Sequence, residues 1–259
     1  MKIRLYPPDG TLPAGGPDHH VESNGERLVI QNLIRPDSVV FDVGACVGGW
    51  TQEVLNHIGG QKLVIHLFEP VPATYRTLVE QFFSSQTDCE LVFNHAAVAR
   101  QGGTQMFYHY ESAKMLSTLH RRLQAEKAYG IPAPVAFPVR TLTLQDYCRH
   151  MQVGRIDFLK IDTEGGEFDV LRGAEPLLAE GRISCIQFEY GGTYLDARTT
   201  LQEVYAFLQR YGYDVYKIVP DGLLMLPQFV PAYEDYQYSN FLAVRPEISA
   251  ALRGNAGMR

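Results

Sequence analysis

The chain has 259 residues, 46% hydrophobic and 20% charged, which is enough length and apolar content for one sizeable core and excludes a disordered or fibrous protein. A formal charge of -6 gives no electrostatic footprint for a phosphate backbone, so nucleic acid is excluded as an expected partner, and the adjacent Arg121 and Arg122 read as a solvated helix face. Cys46, Cys89, Cys148 and Cys185 are scattered without a CxxC pair, which argues against a zinc knuckle or redox dithiol and fits buried thiols in a reducing compartment.

The start, MKIRLYPPDG, has no apolar signal-peptide core, and no stretch approaches the roughly 18 consecutive apolar residues of a membrane helix. A soluble cytoplasmic protein with no membrane partner is therefore expected. Residues 1–20, with the Pro- and Gly-rich YPPDGTLPAGGPD, read as an irregular N-terminal arm. A helix is expected from Glu22 to Ile34, with apolar positions at Leu28, Leu33 and Ile34 and a stop at Pro36.

Short apolar runs then alternate with helical patterns. SVVFDV is followed by a helix from Gly49 to Ile58, closed by Gly59-Gly60, and LVIHLF by a helix after Pro72. ELVFN, IDFLKID, SCIQFEY and DVYKIV follow, and QYSNFLAVR gives a last strand forming an antiparallel hairpin with DVYKIV. Nearly continuous apolar runs are what strands buried on both faces look like, and the helices between them supply the crossovers. The expected architecture is a single α/β domain over residues 1–259, a Rossmann-like, mostly parallel seven-stranded sheet with helices on both faces. Residues 101–138 break the rhythm and form an insertion on the carboxyl side of the sheet, read equally as a substrate lid or a surface excursion.

The first strand runs into Asp42-Val43-Gly44-Ala45-Cys46-Val47-Gly48 directly before a helix. Gly44 lets the chain turn sharply, and Gly48 lets the helix start approach a ligand without a Cβ in the way. The spacing D-x-G-x-x-x-G differs from G-x-G-x-x-G, which aims a helix N-terminus at a pyrophosphate. It suits a loop cradling a charged amino-acid end and a ribose, as S-adenosyl-L-methionine offers. Glu69 closes the second strand, where an acid accepts hydrogen bonds from ribose hydroxyls. The same features leave open a nicotinamide-dependent oxidoreductase, or a non-catalytic binding protein that keeps the fold.

Lys160-Ile161-Asp162-Thr163-Glu164-Gly165-Gly166-Glu167 puts four ionisable groups at a strand end. Alternation sets Lys160 and Asp162 on one side of the strand, with Asp162 facing the ligand crevice. Glu167 and Lys160 also fit an ion-pair cluster capping the next helix. Glu189 closes the following strand, SCIQFEY. Asp162 and Glu189, with Glu164, could hold Mg²⁺, which prefers such oxygen ligands. Asp162, Glu164, Glu189, Lys160, His95 and His120 are candidates for removing a proton from an acceptor.

FDVGACVGG, HLFEPVP, FNHAAVA and especially DFLKIDTEGGEFDVLRGAE resemble the FkbM-type methyltransferases over residues 38–190. One departure is Cys46, where the family commonly has asparagine. The resemblance implies transfer of a sulfonium methyl group to a hydroxyl of a small molecule such as a sugar or natural-product scaffold, with nitrogen as the alternative acceptor. It implies S-adenosyl-L-methionine contacts at Asp42, Gly44, Ala45, Cys46, Gly48, Glu69, Asn94 and Asp162, with catalytic roles among Asp162, Glu189 and Lys160. The oligomeric state is left open, a homodimer included.

Overall fold

A computed structural model describes residues 3–7, 20–83, 88–112 and 116–255. In chain order the elements are β1 (Arg4–Tyr6), α1 (Glu26–Leu33), β2 (Val39–Val43), α2 (Gly49–Ile58), β3 (Val64–Phe68), α3 (Pro72–Phe83), β4 (Glu90–Asn94), β5 (Ala97–Val98) and β6 (Gly103–His109). The chain continues with α4 (Leu123–Tyr129), β7 (Val135–Leu142), α5 (Leu144–His150), β8 (Ile156–Ile161), α6 (Glu167–Gly173), α7 (Glu175–Ala179) and β9 (Ile183–Tyr190). It closes with α8 (Thr193–Ala197), α9 (Leu201–Arg210), β10 (Asp214–Val219), β11 (Gly222–Leu226), β12 (Ser239–Val244) and α10 (Pro246–Asn255).

Among the described residues the main sheet has nine strands in the order β1-β11-β10-β12-β9-β8-β2-β3-β4. β4, β3, β2, β8 and β9 are parallel neighbours, and β12 runs antiparallel between β9 and β10. The seven expected strands are present, and β11 and β1 extend the edge beyond them. β11 is the short GLLML run, which pairs antiparallel with β10, so β12 reaches its place through an intervening strand. β1 pairs parallel with β11, so Arg4–Tyr6 is a strand where an irregular arm is expected; residues 8–19 lie outside the described residues.

Strand alternation divides the core between the two faces of the sheet. Val40, Ile65 and Phe158 pack on one side with Ile30 of α1, Val54 of α2, Leu78 of α3 and Leu252 of α10. Phe41, Val43 and Ile161 pack on the other with Tyr147 of α5, Leu171 of α6, Leu178 of α7 and Val204 of α9. Local chemistry sets helix ends where the sequence signals them. α2 stops at Gly59 with φ +61°, and α9 starts at a Thr200–Glu203 capping box. The first helix starts at Glu26, four residues later than its periodicity suggests, because residues 21–23 form a turn.

The insertion is ordered as a second sheet, β5-β7-β6, closed by Val71, Ala97, Phe107 and Val139. Residues 113–115 within it lie outside the described residues. No helix among the described residues is long and apolar enough to cross a membrane.

Candidate active site

The chain leaves β2 toward β3 and β4 on one side, and later returns to β8 and β9 on the other. The sheet order therefore reverses between β2 and β8, and in such sheets ligands bind outside the carboxyl ends at this point. A cavity of about 380 Å³ opens there, lined by Gly44, Cys46, Glu69, Asp162 and Glu164, and on its insertion side by Phe107, His109 and His120. That is within the range of small-molecule sites.

The Gly44 and Ala45 amides both donate to the Phe68 carbonyl at 3.0 Å, which leans the turn onto the end of β3. Gly44 has φ +86°, a region L side chains avoid. Cys46 also sits left-handed, at φ +50°. Asparagine tolerates that conformation better than cysteine, which gives a physical reason for the residue common at this place in the resembling family.

Glu69 lies across the turn, with its Oε2 accepting from the Cys46 amide at 3.1 Å and its Oε1 from the Val71 amide at 2.7 Å. Burial pushes its carboxyl up to about 7, against the lowering effect of these two bonds. Both oxygens can accept a further donor from the cavity side.

Several expected contacts lie elsewhere. Asp42 is buried and accepts from Thr51 Oγ1 at 2.6 Å, tying β2 to α2 rather than facing the cavity; burial raises it to about 6. A Cβ at Gly48 would lie 2.3 Å from the Phe82 ring, so this glycine serves the packing of α2 against α3 and not the approach of a ligand. Ala45 is buried in the core. The Asn94 amide donates to the Leu67 and Val92 carbonyls, holding the ends of β3 and β4, while Ala96 and Ala97 next to it line the cavity. His95 stacks on Tyr75.

Asp162 and Glu164, which line the cavity, cluster with Glu189, which is buried and does not line it: carboxylate oxygens of the three lie within 4.8 Å of one another. Two segments converge there: the turn after β8 carries Asp162 and then Glu164 at φ +56°, and Glu189 is near the end of β9. Burial, then Asp162, pushes Glu164 up to about 8, and burial, then Asp162 and Glu164, drives Glu189 well above the ordinary carboxylate range. A cation held by these oxygens would reverse that cost. Glu167 does not cap α6, whose N-cap Gly166 makes no side-chain bond; its carboxylate accepts from the Thr163 amide at 2.8 Å and the Gly165 amide at 3.0 Å in the turn before the helix.

Two cations back the cluster. Lys160 is buried and donates to Asp162 at 2.9 Å. Burial would lower its pKa, but Asp162, Glu26 and Glu189 raise it. Arg122 is 5% exposed, so it is not a solvated helix residue; its guanidinium lies 3.3 Å from Glu164 and 3.6 Å from Asp196. Arg121 beside it pairs with Glu126 at the surface. His120, from the insertion, lies 3.5 Å from Asp169 of α6, and both line the cavity.

Glu26, Arg122 and Asp169 are not singled out by motif reading. Glu26 left a signal: it stands three and four residues before the core residues Val29 and Ile30, so a charge falls on the buried stripe of α1. Arg122 left none, because its partners come from residues 42 and 74 positions away. Of the cysteines, Cys148 and Cys185 are buried as expected, whereas Cys46 is exposed and the Cys89 thiol meets the Gln61 carbonyl near the surface.

The sequence profile of the methyltransferase FkbM domain matches residues 42–215. No curated protein matches the chain. Among solved structures, methyltransferase FkbM from Methylobacillus flagellatus KT is similar with TM-score 0.51 and 14% identity, covering 82% of this chain and 45% of that one. This chain thus spans less than half of that structure's length. Aeropyrum pernix fibrillarin, solved with natively bound S-adenosyl-L-methionine, gives TM-score 0.41 and 15% identity over 82% of this chain and 68% of that one. The N-methyltransferase NodS from Bradyrhizobium japonicum WM9 gives 0.44 and 6% over 85% and 93%.

Proposed function

The chain belongs to the FkbM methyltransferase family, and from that premise we propose that it transfers a methyl group from S-adenosyl-L-methionine to a hydroxyl of a small molecule, with the acceptor presented at Asp162, Glu164 and Glu189. The observation that carries this reading is one cavity with two chemically different ends. A glycine turn and Glu69 stand in one part of its lining and Asp162 and Glu164 in another, the latter two clustered with the buried Glu189.

The cofactor end fits its ligand on the chain's own geometry. Gly44 brings backbone to the cavity wall where a side chain has no room, and Glu69 is fixed by two amides with acceptor capacity to spare for ribose hydroxyls. Bound there, S-adenosyl-L-methionine supplies a methyl group on a positively charged sulfur. Transfer is an in-line displacement in which the carbon–sulfur bond breaks as the carbon–oxygen bond forms, and adenosylhomocysteine leaves. The residues' part is to hold the hydroxyl in line and take its proton.

For the acceptor end the proposal includes a divalent cation, Mg²⁺ by donor type, held by Asp162 and Glu189 with Glu164. The fit rests on three oxygen donors, two from the turn after β8 and one from β9, that lie within 4.8 Å of one another. Such an ion would fix the acceptor oxygen and lower its pKa. The same negative surplus favours one other reading, an amine acceptor whose ammonium meets the carboxylates directly.

The test is a transfer assay with methyl-labelled S-adenosyl-L-methionine against monosaccharides, phenols and primary amines, run with chelator and with Mg²⁺ restored. The proposal expects label on hydroxyl acceptors, lost in chelator and recovered with Mg²⁺. Label on amines regardless of chelator would establish the second reading. No transfer to any class would leave the hydroxyl proposal without support.

A further inference from the structure

Beneath Asp162 lies a buried polar network that neither end of the cavity accounts for. Its centre is Glu26, the first residue of α1, which is 3% exposed. Glu26 Oε1 accepts from Asn24 Nδ2 at 2.6 Å and from Asn240 Nδ2 at 3.2 Å. Glu26 Oε2 accepts from the Gln187 amide and lies 3.8 Å from Lys160 Nζ. The partners come from the segment before α1 and from β12, β9 and β8, so one carboxylate joins four separate parts of the chain.

The arrangement has a direction. Gln187 is the β9 partner of Lys160, and Asn240 is the β12 partner of Glu189, so one amide stands beside the lysine that backs the acid cluster and the other beside one of its members. Both amides donate to Glu26, and that of Asn240 also donates to the Tyr238 hydroxyl at 3.1 Å. Lys160 then reaches from Glu26 to Asp162, with 2.9 Å at the far end. A buried ammonium between two carboxylates is held from both sides, and removing one side lets it collapse onto the other.

We propose that Glu26 is a positioning residue: through Lys160 it sets where the Asp162 carboxylate stands at the acceptor end of the cavity. This rests on the functional reading only in calling that end the acceptor end. The link from Glu26 to Lys160 to Asp162 is geometric. It makes α1 part of the site although α1 contributes no side chain to the cavity wall. Groups that orient a functional carboxylate or ligand in this way typically matter about 10–100-fold for the function they support.

The test needs no acceptor. Protein labelled with ¹⁵N at lysine side chains and ¹³C at aspartate carboxyls is examined by NMR, with the Lys160 Nζ and Asp162 Cγ signals assigned by their loss in Lys160→Met and Asp162→Asn. In the native protein the Lys160 ammonium should exchange its protons slowly. Glu26→Gln should shift both signals and speed ammonium exchange about tenfold or more, as expected when a charged contact is lost. Glu26→Asp, which keeps the charge on a shorter arm, should fall between, and it carries the test if Glu26→Gln does not fold. Signals of Lys160 and Asp162 unchanged in both variants, or a shift at Lys160 without one at Asp162, would overturn the proposal. Titration of the same samples with adenosylhomocysteine keeps the two readings apart. Native protein that fails to bind it refutes the functional reading and leaves the NMR result standing.

Discussion

The α-carbon of Gly44 stands against the carbonyl of Asp162 so closely that a Cβ there would lie 1.8 Å from that oxygen. The two residues directly follow β2 and β8, adjacent strands whose register pairs Val43 with Ile161, and the Asp162 amide donates back to the Val43 carbonyl at 2.9 Å. The glycine is required by the protein's own backbone before any ligand arrives. Gly44→Ala should therefore destabilise the ligand-free fold by about 2 kcal/mol or more, from overpacking together with φ +86°. Denaturant unfolding measures it. A loss under roughly 0.5 kcal/mol would mean the turn relaxes and the contact is not restrictive.

Arg122 supplies a second prediction. Its guanidinium separates Glu164 from Asp196, whose side chain is 4% exposed. Arg122→Ala leaves buried carboxylates facing each other and should cost about 3–5 kcal/mol. Arg122→Lys should recover part of this, since an ammonium is a point charge rather than a fork. Thermal unfolding of the two variants checks the order, and an unchanged midpoint in Arg122→Ala would contradict the placement.

Stability should also depend on pH through Glu69. Burial raises its folded-state value to about 7 from an ordinary 4.5, so between those values the folded protein keeps a proton that the unfolded chain has released. The contribution is fully present below about pH 4.5 and is lost as pH rises through 7, with a slope of at most about 1.4 kcal/mol per pH unit. Asp42, raised to about 6, adds a change of the same sign. Glu69→Gln, permanently neutral, should lose its share, so that ligand-free native and variant proteins diverge between about pH 5 and pH 8 with the variant favoured at the higher pH. Parallel stability profiles would show that Glu69 does not titrate in this window.

Much of this was legible in the sequence because it is local. The apolar runs of β2, β3, β8 and β9 and the glycine after β2 fix the strand ends, and strand ends place Gly44, Glu69, Asp162 and Glu189. Asp42, Gly48 and Asn94 share those motifs but serve the scaffold, bonding Thr51, meeting Phe82 and capping strand ends. Motif spacing shows where a residue stands and not which way its side chain turns. Glu26 and Arg122 escaped because their partners are distant in sequence. The edge strand β1 escaped because three residues carry little periodic signal.

Binding of S-adenosyl-L-methionine at the Gly44–Glu69 end of the cavity is measured by calorimetric titration of native and Glu69→Ala protein with adenosylhomocysteine, with a nicotinamide dinucleotide as control. Native protein should bind adenosylhomocysteine saturably and the dinucleotide not at all. Glu69→Ala should weaken that binding roughly 10–150-fold, the equivalent of about 1.5–3 kcal/mol for a charged hydrogen bond. Absence of binding by the native protein, or equal affinity in the variant, would contradict binding at that end.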